Sequence, residues 1–158
     1  MTVSRLKAQL VLIALGLSLA AQTPDSILKD AMGKHQSGDF SGAIRLYRQY
    51  LKIRPESPDA LLNLGAALAH EGQFAAAIEE YTHALRLNPD NTAARFNLGL
   101  AYYKSGNSLL ARNHFEQAAK TMGPNRQASF LIADCDIRLG DYKSVSYTHL
   151  TLPTIYSV

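Results

Sequence analysis

His70 and Glu71 begin the pattern His-Glu-x-x-His, which on a helix sets two imidazoles one turn apart to hold zinc, with the glutamate as base. Phe74 stands where the second histidine must be, so that site cannot form. His35, His83 and His114 fall at no regular place relative to His70, which suits surface or groove histidines better than ligands. Cys135 is the single cysteine; alone it makes neither an intramolecular disulfide nor a Cys-based zinc site, and a small buried residue is the expected role. Glu79 and Glu80 are neighbouring carboxylates on the expected outer face of a helix, where solvation accounts for them. The sequence has no Gly-x-Gly-x-x-Gly turn, no phosphate-binding loop and no Gly-x-Ser-x-Gly elbow. No catalytic residue, cofactor or metal is expected, and the chain reads as a non-enzyme.

Charge excludes a further class. The net charge of +3 includes Arg5 and Lys7, which lie in a leader-like start; the rest holds 14 Lys and Arg against 13 Asp and Glu. No basic run remains to follow a phosphate backbone, so no nucleic-acid partner is expected. Residues 1–20 have the three parts of a signal peptide: Arg5 and Lys7, an apolar run from Ala8 to Leu19, and small residues at Ser18 and Ala20. Cleavage is expected after Ala20, with Ala21 as the alternative, giving a secreted or periplasmic product. The run is short for a membrane span, so no span is expected in the mature chain; the rival is an uncleaved anchor.

The elements that would position any site are announced by a period. Gly38, Gly72, Gly106 and Gly140 are 34 residues apart, and Ala31, Gly65, Gly99 and Ala133 keep the same step. Ala43, Ala77 and Ala111 follow it, as do Tyr47, Tyr81 and Phe115. Phe40, Phe74 and Tyr142 do too, with Ser108 as the exception. Leu61, Leu64, Gly65 and Leu68 share one helical face, and Phe74, Ala77, Ile78 and Tyr81 make a second. Glycine near residue 72 suits a turn with positive φ, and Pro55 and Pro89 close units because proline cannot continue a helix. Thr23-Pro24 and Ser57-Pro58 read as helix starts. First helices are predicted near 24–37, 58–71, 92–105 and 126–139, and second helices near 41–54, 75–88 and 109–122.

This 34-residue helix-turn-helix unit resembles the tetratricopeptide repeat. The resemblance rests on Leu64-Gly65, Ala77, Tyr81, Ala84 and Pro89 in one unit and on Leu98-Gly99, Tyr102, Ala111, Phe115 and Ala118 in the next. It implies an all-α, right-handed α-solenoid with units at 24–57, 58–91 and 92–125 and a partial fourth at 126–144. In the first unit Asp30 and Lys34 replace apolar residues and are expected to pair on a solvated capping face. Asp136 stands where an aromatic is common.

The resemblance also implies a concave wall that holds a protein or peptide partner. Its first-unit residues would be Leu28, Lys29, Met32 and His35, and its second-unit residues Leu62, Asn63, Ala66 and His70. Phe96, Asn97, Leu100, Tyr103 and Lys104 would come next, then Phe130, Asp134 and Arg138. Such a wall is apolar at its middle and suits an amphipathic helix or apolar peptide; the alternative is that the same stripe only packs neighbouring units. Some relatives grip a terminal carboxylate with lysine, arginine and asparagine. Here only Asn63 or Asn97 fits that arrangement, while Leu28, Met32, Leu62 and Ala66 occupy places where lysine and asparagine would be wanted.

Residues 145–158 break the pattern: they carry no Asp, Glu, Lys or Arg, and Pro153 interrupts any helix. The string from Val145 to Thr154 resembles the translation of a transposon-end sequencing adapter, with residues 155–157 as a sample index and Val158 as the last adapter codon. Native sequence would then end near Lys143, leaving the fourth unit without its proper second helix and prone to self-association through an exposed apolar patch. The expected function is a protein-interaction scaffold exported from the cytoplasm; the alternative is the non-catalytic N-terminal arm of a larger enzyme.

Overall fold

A computed structural model of the chain describes residues 23–123 and 125–140. It shows α1 (Pro24–Gln36), α2 (Phe40–Ile53), α3 (Pro58–His70), α4 (Phe74–Leu87), α5 (Thr92–Lys104), α6 (Ser108–Met122) and α7 (Arg126–Leu139). Each helix packs on the one before it and the one after it, giving an all-α solenoid in which α1–α2, α3–α4 and α5–α6 are helical hairpins. Residues 1–20, expected as a signal peptide, together with Tyr142 and residues 145–158, lie outside the described residues. Among those described, no helix is long and apolar enough to cross a membrane.

The turn inside each hairpin explains the glycine period. After α3, Gly72 takes φ +74°. Its N–H donates to the Ala69 carbonyl at 3.1 Å, and the N–H of Gln73 donates to the Leu68 carbonyl at 2.9 Å. These two bonds satisfy carbonyls that the helix end would otherwise leave unpaired, and the motif requires a left-handed residue. The same pair of bonds closes α1 and α5. The next residue caps the following helix at once: Asp39 accepts from the Gly42 N–H at 2.9 Å and Asn107 from the Leu110 N–H at 3.1 Å. Gln73 makes no such bond before α4. Second helices begin at Phe40, Phe74 and Ser108, one residue before the predicted starts.

First helices begin on Thr23, Asn91 and Asn125, whose side chains accept from N–H groups three residues on. Ser57 occupies the corresponding place but makes no capping bond; Pro58 fixes that start instead. Lys34 does not pair with Asp30. Its Nζ reaches Asp39 at 2.8 Å, because the capping bond to Gly42 already holds that carboxylate beside the turn.

Between the helices of a hairpin an aromatic ring meets a residue with little or no side chain. A Cβ on Gly65 would lie 2.6 Å from Tyr81 Cε1, and one on Gly99 would lie 2.8 Å from Phe115 Cδ1. Ala31 and Tyr47 share the core cluster of the first hairpin. In α7 the polar Asp136 is buried at 1% exposure where α3 has Leu68 and α5 has Tyr102. Arg112 Nε lies 2.9 Å from Asp136 Oδ1, while its single N–H is directed to Glu116 Oε1 at 3.0 Å. Asp136 thus has an ionic contact across α6 and α7 without an aligned hydrogen bond. Phe130, Ile137 and Leu139 of α7 are exposed; the self-association expected of the fourth unit turns on residues past Gly140, which lie outside the described residues.

Two helical glycines should respond in opposite directions. A Cβ added to Gly33 would have nothing within 4 Å, so its replacement meets open space. Gly33→Ala should raise unfolding free energy by about 0.5–1 kcal/mol through helix propensity and chain entropy. Gly65→Leu should lower it by about 1–3 kcal/mol, because the Tyr81 ring cannot give way in a packed core. Urea unfolding of both variants decides; a gain in stability from Gly65→Leu would contradict the packing described.

Candidate functional site

The first helices α1, α3, α5 and α7 carry the residues expected on the concave wall. Five of them meet in one pocket of about 340 Å³ between α3, α4 and α5: Ala66, His70, Asn97, Leu100 and Lys104. Ala69, Phe74, Tyr81 and Ala101 complete its lining, and no carboxylate is among these nine. Phe74 and Tyr81 come from the second helix, where the 34-residue period marks them as core; that they also line the pocket is not apparent from the sequence.

The remaining expected residues lie elsewhere. Leu28 and Leu62 are half-buried and pack on the core cluster of the first two hairpins. Asn63 is half-buried, and Met32 is exposed. Phe96 does not line the pocket; its ring packs 5.3 Å from that of Phe115. Phe130 stands 68% exposed on α7.

Tyr103 and Asp134 form a polar cluster with Arg138 on the α5–α7 side. The Tyr103 hydroxyl donates to Asp134 Oδ2 at 2.6 Å, and Arg138 Nε reaches the same oxygen at 2.7 Å. The Arg138 guanidinium also donates to the Tyr103 hydroxyl and lies 4.1 Å from the ring centroid. Donation from Tyr103, then from Arg138, holds the Asp134 carboxyl below its ordinary range. The same bond raises the Tyr103 phenol.

At the other end, between α1, α2 and α3, two imidazoles lie among aromatic rings. His70 stacks on Phe40 with centroids 4.3 Å apart, and His35 approaches His70 edge-on at 6.1 Å. Burial, and secondarily the nearby His70, lowers the His35 pKa. His114 on α6 stacks on Tyr102 at 5.5 Å, and its Nδ1 is buried without a hydrogen-bond partner among the described residues. Burial and then Arg95 lower its pKa. Among the described residues no group of three or more His, Cys, Asp or Glu is placed to hold a metal. Burial also pushes the Cys135 thiol up to about 11, so it is largely protonated at neutral pH.

Comparison with known proteins gives this geometry its family. Residues 34–79 and 96–144 match the tetratricopeptide repeat, and residues 67–106 match the TPR repeat. The chain belongs to the tetratricopeptide-repeat family. No curated protein matches it. Among solved structures, MamA from Desulfovibrio magneticus RS-1 is similar at 19% identity and a TM-score of 0.77, over 82% of this chain and 73% of that one. The TPR domain of Sgt2 from Aspergillus fumigatus is similar at 23% identity and a TM-score of 0.67, over 85% of this chain and 87% of that one. The first TPR of Spaghetti (RPAP3), bound to the HSP90 peptide SRMEEVD, is similar at 20% identity and a TM-score of 0.71, over 76% of this chain and 95% of that one. At these identities the likeness concerns the tetratricopeptide fold.

The two depressed imidazoles make stability depend on pH with a definite sign. The fold favours neutral His35 and His114, so the unfolded chain binds more protons once pH falls below the ordinary value of 6.5. Their contribution is complete above 6.5 and is lost as pH falls through the lowered values. The thermal midpoint should decline from about pH 7.5 to about pH 5, and the double variant His35→Gln, His114→Gln should flatten that decline. An unchanged slope in the double variant would show that other groups govern it.

Proposed function

We propose that this tetratricopeptide-repeat chain is an exported, non-catalytic scaffold that holds a peptide or helix of a partner protein in its concave groove. The observation that carries the reading is the pocket between α3, α4 and α5. It combines an apolar lining from Ala66, Ala69, Leu100 and Ala101 with a few polar groups, Asn97, His70 and Lys104. A concave apolar surface with a small number of polar groups is how proteins orient a bound chain. The pocket lies where first helices of adjacent repeats face one another, so a segment crossing them could seat an apolar side chain there. The similar domain of Spaghetti (RPAP3) bound to a peptide supports the same use.

Selection from a displayed library of random peptides supplies a ligand for the test. Leu100→Ala should weaken a selected peptide by about 1–2 kcal/mol, the usual cost at an interface anchor. Phe96→Ala should weaken it similarly, through lost support against Phe115 as well as lost contact, with helicity retained in both variants. Unchanged affinity in two folded variants would place the binding site outside the groove.

Export is the second part of the proposal, motivated by Arg5, Lys7, the apolar run and the Ser18-Leu19-Ala20 ending. Expressed with its own N-terminus in a secreting host, the product should begin at Ala21 or Gln22 by N-terminal sequencing. Intact Met1 on cytoplasmic protein would refute it.

A further inference from the structure

The first helices of three successive repeats carry a basic residue type in their last turn. His70, Lys104 and Arg138 are each 34 residues apart and close α3, α5 and α7 on the same side. Two of them, His70 and Lys104, line the 340 Å³ pocket, and no Asp or Glu does. Arg138 is already engaged by Asp134 at 2.7 Å. Lys104 has no ion-pair partner among the described residues, so its ammonium is available to a ligand. A helix C-terminus carries partial negative charge, which favours cations at these positions in the free protein. It does not supply the ammonium with a full counter-charge.

We infer that the groove selects a segment in which a large apolar side chain is flanked by a carboxylate side chain, the apolar group entering the pocket and the carboxylate meeting Lys104. This inference rests on the groove reading above and names the chemistry of its ligand. The pocket accounts for both halves. Ala66, Ala69, Leu100, Ala101 and Phe74 offer apolar or ring surface, Tyr81 a ring with a hydroxyl, and Asn97 an amide beside Lys104. A basic side chain seated there would face Lys104 with no carboxylate in the lining to offset the repulsion. The carboxylate in question is an internal Asp or Glu. Leu62 and Ala66 on the adjoining helix are apolar, so a terminal carboxylate finds no second cation from α3.

Three C-terminally amidated peptides of about four helical turns test the inference. They share one stripe of leucine and methionine and differ only at the stripe's edge, which carries Glu, Gln or Lys. Fluorescence anisotropy against the full chain should rank them Glu, then Gln, then Lys, with about fivefold between the first two, the scale of an exposed charge pair. Added salt should narrow that gap. Lys104→Glu, with helicity checked by circular dichroism, should invert the ranking of the Glu and Lys peptides. Equal binding of the Glu and Gln peptides, or a ranking that Lys104→Glu leaves unmoved, overturns the inference while the groove reading stands. Failure of all three, and of a fourth Glu peptide with a free C-terminus, overturns both. A Glu peptide that binds only when its C-terminus is a free carboxylate assigns the site to chain ends and overturns the inference as well.

Discussion

In the second and third repeats an aromatic ring from the second helix occupies the space that a Cβ on the first helix would need. Tyr81 lies on Gly65, and Phe115 lies on Gly99. Glycine within a helix costs about 1 kcal/mol relative to alanine, whereas full burial of a large apolar side chain contributes about 1.5–3 kcal/mol. Burial therefore wins, and the exchange brings the two backbones close at a set place. The pocket between α3, α4 and α5 inherits that placement. Leu100 is next to Gly99 on α5, and Ala66 is next to Gly65 on α3, so the residues beside the crossing are the ones that line the pocket. The Tyr81 ring that packs on Gly65 is itself part of the pocket lining.

The groove is consequently not a separate feature laid over the core. Its lining includes the rings and small residues of the hairpin packing, and two of its polar groups, His70 and Lys104, come from the last turn of first helices. That last turn is shaped by the glycine turns: Gly72 and Gly106 end α3 and α5 directly after His70-Glu71 and Lys104-Ser105. A change of one residue in where a first helix stops would rotate the terminal side chain by roughly 100° about the axis and remove it from the pocket. The 34-residue period thus fixes core contacts and the position of His70 and Lys104 together.

The repeat is legible because each of its positions answers to a strong local constraint. Gly72 must adopt positive φ, Ala77 and Ala84 are fully buried, and Pro89 cannot lie inside a helix. The helices accordingly begin and end within a residue or two of their predicted limits. The site is legible only in part. The resemblance implies that Ala66, Leu100 and Lys104 share the wall with Phe96, but it does not give the depth of each, nor the packing of the Phe96 ring against Phe115. Lys34 pairs with Asp39 rather than Asp30, a choice made by a turn that helix spacing does not describe. Asp136 reads as a departure from the repeat in the fourth unit; it is buried beside Arg112, a partner 24 residues earlier that no local pattern could nominate.

The central claim is that the concave wall is the binding surface, and amide chemical-shift mapping tests it most directly. A selected peptide titrated into isotope-labelled protein should shift the resonances of Ala66, His70, Asn97, Leu100 and Lys104 on α3 and α5. Those of Arg48 and Gln49, exposed on α2 away from the pocket, should stay in place. Shifts confined to the second helices, with α3 and α5 silent at saturation, would contradict the account.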